Sequence, residues 1–321
     1  MEKIHFSVLR ESVRRYLVEL GTRDDIAINV AELLVNGDQS GQPSHGVMRL
    51  LEYDQKVRSG MIIPSAVPVI WRDSVLGRVD GNWGWGASTA LEAVNLAKHI
   101  SEELGAAVVT AVKCSHVGRL EPFGRCLGEA GLMGVLMASS EPNMAPVGTK
   151  RRLIGTNPLC MVVPSDPEPI ILDAATAEAA EGKIRVLRSQ GKKAETKCII
   201  DSGGNPSDSP DDYYAGGALI PFGGHKGSGI AVMIDLLAGS VSSHSALDPR
   251  FERGNGLLVL AFDPSRFPNF DPYEIPKAAD RLRGEAHSVP VVPGDFEISR
   301  RSESDMVNVP DSVMQLLEIQ R

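Results

Sequence analysis

Ala106-Ala107-Val108-Val109-Thr110-Ala111-Val112-Lys113-Cys114-Ser115-His116-Val117-Gly118 is the stretch on which the fold turns. Residues 106–112 form an apolar run of strand length, and a helical pattern then extends to Ala130. A second apolar run covers residues 132–138. Strand, helix and strand in this rhythm predict a βαβ unit and an α/β sheet. His116 then falls just past the carboxyl end of a strand, where ligands of such sheets bind. Its imidazole is either a proton-handling group or a loop histidine with a structural role.

Downstream, residues 159–163, 170–173 and 256–262 read as further strands, and upstream so do 66–70 and 75–80. A helix over 87–100 follows Gly84-Trp85-Gly86, which lacks the third glycine of a dinucleotide fingerprint. That turn reads as a plain strand-to-helix connection. Residues 7–20 carry an apolar stripe at helical spacing, and a second helix starts at Thr22 with Asp24 and Asp25 in its first turn. These two helices lead into Pro43-Ser44-His45-Gly46-Val47-Met48-Arg49-Leu50. The spacing puts Ser44 and His45 at a helix N-terminus and Arg49 one turn on. A histidine exchanges protons near neutral pH, and an arginine holds a carboxylate by a two-pronged hydrogen bond. The plainer reading is a serine cap followed by a surface His and Arg.

Pro221-Phe222-Gly223-Gly224-His225-Lys226-Gly227-Ser228-Gly229 precedes an apolar helix over 230–237. Glycines at a helix start, with His225 and Lys226, fit an anion cradle or else a hinge before a core helix. Residues 194–210 are polar and turn-rich, which predicts a surface hairpin or mobile loop. The chain is proline-rich from Asp263, has a second proline patch at Pro290 to Gly294, and ends in a helical pattern over 309–319. The four cysteines show no CxxC spacing and read as free thiols of a reducing compartment, which predicts a cytoplasmic protein. A formal charge of −8 argues against nucleic acid and anionic membrane as partners. No apolar run reaches membrane-spanning length, and Met1 to His5 starts no signal region. No cluster has metal-site spacing, and no G-x-S-x-G elbow exists. Adjacent side chains diverge as a rule, so Ser44 and His45 read poorly as a hydrolase dyad.

Taken in order, five pieces resemble one family. They are Ser44-His45-Gly46-Val47 with Arg49, Ser115-His116-Val117-Gly118, Gly155-Thr156-Asn157-Pro158, Asp173-Ala174-Ala175-Thr176 with Gly182-Lys183, and Gly224-His225-Lys226-Gly227. The sequence resembles the type 2 malate/L-lactate dehydrogenases, a group that includes ureidoglycolate, sulfolactate and piperideine/pyrroline-2-carboxylate enzymes. The resemblance implies an α/β fold that binds NAD or NADP without being a Rossmann fold. A mixed-sheet cofactor domain, residues 71–262, would combine with a helical domain built from both chain ends, residues 1–70 and 263–321. It also implies a homodimer and a small carboxylate substrate. The reaction would be hydride transfer between nicotinamide and the α-carbon of a 2-oxo or 2-hydroxy acid, or alternatively a cyclic imino acid.

By the same resemblance His45 is the proton donor and acceptor, with Ser44 as its partner and Arg49 as the carboxylate clamp. His116 and Thr156 line the pocket, and Lys183 joins the catalytic set. Asp173, Ala174, Ala175 and Thr176 lie along the cofactor, with His225, Lys226 and Gly227. Two departures stand out. Residues 193–201 lack the family's proline and tryptophan, which opens the alternative of a catalytically silent ligand-binding paralogue. Arg119 and Glu121 bring bulk and charge beside His116.

Overall fold

The structure, a computed structural model, describes residues 2–287, 291–301 and 304–319. The chain opens with β1 (Glu2–His5), α1 (Phe6–Glu19), α2 (Asp24–Gln39) and α3 (Leu50–Arg58). Phe6, Leu9, Val13 and Leu17 of α1 recur at helical spacing and pack on Ile26, Val30 and Leu34 of α2. A hairpin of β2 (Val69–Asp73) and β3 (Leu76–Asp80) leads to α4 (Gly86–Leu104) and β4 (Ala106–Cys114). Then come α5 (Glu121–Glu129), β5 (Met133–Ser139), β6 (Leu159–Val163), β7 (Ile170–Ala174) and α6 (Glu181–Ser189). Next are β8 (Ile199–Ile200), β9 (Pro206–Ser207), α7 (Pro210–Tyr214), β10 (Ala218–Leu219) and α8 (His225–Ile234). A π-helical turn, Asp235–Gly239, joins α8 to α9 (Ser240–Ser242), and β11 (Asn255–Phe262) follows. The chain closes with α10 (Glu274–Gly284), α11 (Asp295–Arg301), β12 (Met306–Val309) and α12 (Asp311–Leu316).

Seven strands form a mixed sheet in the order β2-β3-β4-β11-β5-β6-β7. β3 and β4 are parallel and joined through α4, a true βαβ unit. The expected unit over 106–138 has its helix, α5, but β4 and β5 do not touch. β11 runs between them, antiparallel to both. Its near-continuous apolar sequence suits the centre of a sheet covered on both faces. One face packs Val79, Val109, Leu136, Val162 and Val259 under α4 and α5. The other face is covered at its middle, where Met137 and Leu258 meet Ile234 and Ala238.

The chain ends meet. β1 pairs antiparallel with β12, and Val313, Met314 and Leu317 complete the core of α1 to α3. Sequence periodicity misses β1 because four residues carry too little pattern. The C-terminal reading needs two corrections. Val309 ends a strand and the last helix starts at Asp311. The proline-rich region contains α10 and α11, since Pro276 sits in the first turn of α10, where a proline is tolerated. The patch read at Pro290 to Gly294 begins outside the described residues. Residues 194–210 form an antiparallel hairpin, β8 with β9, rather than a mobile loop. Cys198 and Ile199 are buried there against Ile154, Ile184 and Leu219, so the departure from the family pattern is a packed element. All four cysteines are free thiols. Among the described residues no helix is long and apolar enough to cross a membrane, and no group of three or more metal-ligating side chains occurs.

Candidate active site

The Ser44 segment forms two 3₁₀ turns, Pro43–His45 and Val47–Arg49, rather than one helix start. This tight winding corrects the expectation that Ser44 and His45 diverge: Ser44 Oγ lies 3.0 Å from His45 Nδ1. The segment is held from below by Asp38 of α2, whose Oδ2 accepts from the Val47 N–H at 2.8 Å. Burial pushes the Asp38 carboxyl up to about 7, and the Val47 bond opposes the shift only in part. From above, Gly182 in the first turn of α6 packs on Ser44. A Cβ on Gly182 would stand 2.6 Å from the Ser44 Cβ.

His116 leaves the end of β4 and reaches the same place. Its ring stacks beside that of His45, with centroids 6.0 Å apart and planes inclined by 26°. Tyr53 Oη lies 2.9 Å from His116 Nδ1. The loop that carries His116 is anchored by Asn255 of β11. Its Oδ1 accepts from the Val117 N–H at 2.9 Å and its Nδ2 donates to the Ser139 carbonyl at 2.8 Å. Both imidazoles are therefore bonded through Nδ1, which among the described residues leaves Nε2 of each as the nitrogen free for proton exchange. Burial, then the charges of Arg49 and Arg119, lower His45 to about 3. Burial, Arg49 and His45 lower His116 well below the ordinary histidine value. At neutral pH this is a pair of neutral imidazoles.

Arg49 is buried, with 9% of its surface exposed. Its Nε donates to the Ser44 carbonyl at 2.8 Å and its Nη1 to Glu52 Oε2 at 2.6 Å. The two-pronged hold expected of Arg49 is thus narrowed, because two of its three nitrogens already have partners. Glu52 also meets Lys56 at 3.0 Å and Arg185 of α6 at 3.5 Å. Burial alone would raise the Glu52 carboxyl, but Arg49 and Lys56 outweigh it and hold the group down at about 2.

A second group of expected residues is tied together by hydrogen bonds. The Thr156 carbonyl accepts from the Thr176 N–H at 2.9 Å and from Thr176 Oγ1 at 2.8 Å. The Thr176 carbonyl in turn accepts from the Phe222 N–H at 3.0 Å, which brings the glycine-rich turn against residues 174–178. Gly223 and Gly224 have φ of 54° and 62°, a conformation that other residues rarely adopt, and His225 and Lys226 are exposed beyond them. Gly227 is buried behind Phe222. The group joins the imidazoles through residues 177–182, which run from Thr176 to the Gly182–Ser44 contact.

Two further expected residues have these surroundings. Asp173 caps α5: its Oδ2 accepts from the N–H groups of Leu120 and Glu121 at 3.0 and 2.8 Å, so its carboxylate is committed to a helix end. Lys183 is exposed in the first turn of α6. Arg119 is turned to Asn36 and Glu121, and Glu121 is gripped by Arg119, Arg125 and Arg301. Arg119, His45 and Tyr53 border a small, partly open cavity of about 20 Å³, room for about one water. Sequence reading missed Asp38, Glu52, Tyr53 and Asn255 as site residues. Glu52 and Tyr53 carry a local signal, three and four residues after Arg49. Asp38 and Asn255 carry none, because their partners depend on the tertiary fold.

Two substitutions test this scaffold. Gly182→Ala pushes α6 off Ser44, and its turnover should fall while its melting temperature drops only slightly; unchanged turnover would separate α6 from the site. Asp38→Asn keeps an acceptor for the Val47 N–H. The folded pKa of Asp38 exceeds the unfolded carboxylate value, so its contribution to stability is present below about pH 4 and is lost as pH rises towards 7. The melting temperature of Asp38→Asn should therefore gain on the parent across that interval. A constant difference would mean that Asp38 does not titrate there.

A half-buried imidazole pair thus stands beside a buried arginine, with a glycine-rich turn further along the same chain of contacts, on a mixed α/β sheet. The chain belongs to the malate/L-lactate dehydrogenase family, whose family model matches residues 4–317. It is 33% identical over 238 residues to malate dehydrogenase of Pyrococcus abyssi, a match covering 72% of this chain and 66% of that protein. It is 34% identical over 262 residues to Δ1-pyrroline-2-carboxylate reductase of Pseudomonas fluorescens, covering 78% of this chain and 77% of the relative. Among solved structures, Δ1-piperideine-2-carboxylate reductase of Pseudomonas syringae superposes with a TM-score of 0.89 at 27% identity, covering 99% of each chain.

Proposed function

We propose that this protein transfers a hydride between NAD or NADP and the α-carbon of a small 2-oxo or 2-hydroxy acid. The observation that carries the reading is the stacked His45–His116 pair beside the buried guanidinium of Arg49. In the reductive direction His45 gives a proton from Nε2 to the substrate oxygen, and in the oxidative direction it takes that proton back. Ser44 on Nδ1 holds the ring in the required tautomer. Arg49 binds the carboxylate next to the reacting carbon and so fixes which face meets the nicotinamide. A carboxylate there also adds negative charge beside both imidazoles and moves His45 back towards its ordinary range. Substrate binding and proton uptake are therefore coupled.

The residues fit a nicotinamide dinucleotide. The turn at Gly223 and Gly224 with exposed His225 and Lys226 suits the negative pyrophosphate, and Thr156 with Ala174, Ala175 and Thr176 forms the group that leads from it to the imidazoles. The bound cofactor supplies or accepts the hydride. A binding mode other than the Rossmann crevice is supported by the antiparallel β11 at the sheet centre and by the missing third glycine of that motif.

The division into residues 71–262 for the cofactor and the two chain ends for the substrate side accords with the pairing of β1 and β12. A homodimer is supported by an exposed apolar face: Trp71, Leu76 and Val108 at one side of the sheet, Met161 and Leu172 at the other, and Met233, Leu237 and Val241 between them. Four free thiols suit a cytoplasmic setting. The test is turnover of NADH and NADPH with a panel of 2-oxo acids and cyclic imino acids. Consumption with 2-oxo acids supports the reading. Consumption with cyclic imines alone would assign an imino acid reductase, and none at all would assign a ligand-binding paralogue.

A further inference from the structure

Glu52 has no role in the reading so far, yet it is the most heavily engaged carboxylate beside the imidazoles. It lies one helical turn beyond Arg49, with their side chains 24% and 10% exposed, and receives Arg49, Lys56 and Arg185. An exposed ion pair three residues apart on a helix contributes little and moves no kinetic constant. This one differs in its second anchor. Arg185 also bonds Glu181 at 2.7 Å, in the same first turn of α6 whose Gly182 packs on Ser44. Glu52 thus links the arginine to the helix that covers the Ser44–His45 pair.

We propose that Glu52 is a positioning residue: it fixes the plane of the Arg49 guanidinium so that Nη2 is presented to the substrate carboxylate. The geometry requires two fixed points on a planar group, and Arg49 has them. Nε is tied to the Ser44 carbonyl and Nη1 to Glu52, while Nη2 has no hydrogen-bond partner among the described residues. With Glu52 removed, the guanidinium turns about its remaining bond, and Nη1 and Nη2 sample several directions. Lys56 and Arg185 matter because they hold the carboxylate in place when a second anion arrives. A substrate carboxylate then adds to the cluster without pulling Arg49 away from Ser44.

The inference rests on Arg49 binding the substrate carboxylate, and the experiment separates the two claims. Glu52→Ala, Glu52→Gln, Arg49→Ala and the double variant Glu52→Ala/Arg49→Ala are compared for KM, kcat and NAD(P)H binding. Circular dichroism melts confirm that each variant folds. Glu52→Ala should raise KM for a 2-oxo acid roughly tenfold, with unchanged cofactor affinity, a coupling of ordinary size for contacting residues. Glu52→Gln keeps an acceptor oxygen for Nη1 and should restore KM to near the parent value. The double variant should be no worse than Arg49→Ala, because Glu52 acts through Arg49. Normal KM in Glu52→Ala, or full additivity in the double variant while Arg49→Ala is impaired, would overturn the role of Glu52 and leave the clamp intact. An Arg49→Ala enzyme with normal KM would overturn the clamp itself, and the Glu52 role with it.

Discussion

His45→Ala lowers kcat by about two to four orders of magnitude, the usual worth of a positioned acid or base. The affinity for NAD(P)H stays nearly unchanged, because His45 is assigned to the substrate side. Steady-state turnover with fluorescence titration of the cofactor checks both halves. The loss cannot be assigned to collapse of the scaffold. The turn that carries His45 is held through Asp38 on Val47 and through Ser44 on Gly182, and neither contact uses the imidazole. If turnover stays near normal, His116 becomes the proton donor, since its Nε2 is equally free and its ring lies 6.0 Å away.

Replacing Arg49 has the second-largest effect. Arg49→Ala should cost about 2–5 kcal/mol in kcat/KM, the range for truncating one partner of a buried charge pair. Arg49→Lys keeps the charge but loses the planar group that bonds Ser44 and Glu52 together. It should therefore raise KM and also lower kcat, because the reacting carbon is misplaced. An amide of the substrate should be poor for the parent and lose little more in either variant. Equal losses on acid and amide would point to general damage rather than to a clamp.

Much of this architecture was legible in the sequence, and the failures have physical causes. The apolar runs at 106–112, 132–138, 159–163 and 256–262 locate four strands because their burial dictates their composition. What the runs do not encode is order in the sheet. Only the pairing of β11 with both β4 and β5 reveals that the central strand is antiparallel. In the candidate site, Ser44, His45, Arg49 and His116 were legible because imidazoles and guanidinium groups beside turns are chemically conspicuous. Asp173 was placed along the cofactor by the family resemblance, and no sequence pattern announces the contact that its carboxylate also makes with the start of α5. Lys183 fell near the site in sequence, since Gly182 touches Ser44, yet helical geometry turns the next side chain outward. Asp38 and Asn255 bond backbone groups that are 9 and 138 residues away in sequence, and no local pattern announces such partners.

The central claim is that a hydride reaches the α-carbon of a 2-oxo acid held between His45 and Arg49. The most direct test is to supply NAD(P)H deuterated at C4 of the nicotinamide, in both stereoisomers, and to examine the product by mass spectrometry. The account predicts a 2-hydroxy acid with deuterium at its α-carbon from one stereoisomer and none from the other. A hydroxy acid without the label from either stereoisomer, or cofactor binding with no product from any 2-oxo acid, would contradict it.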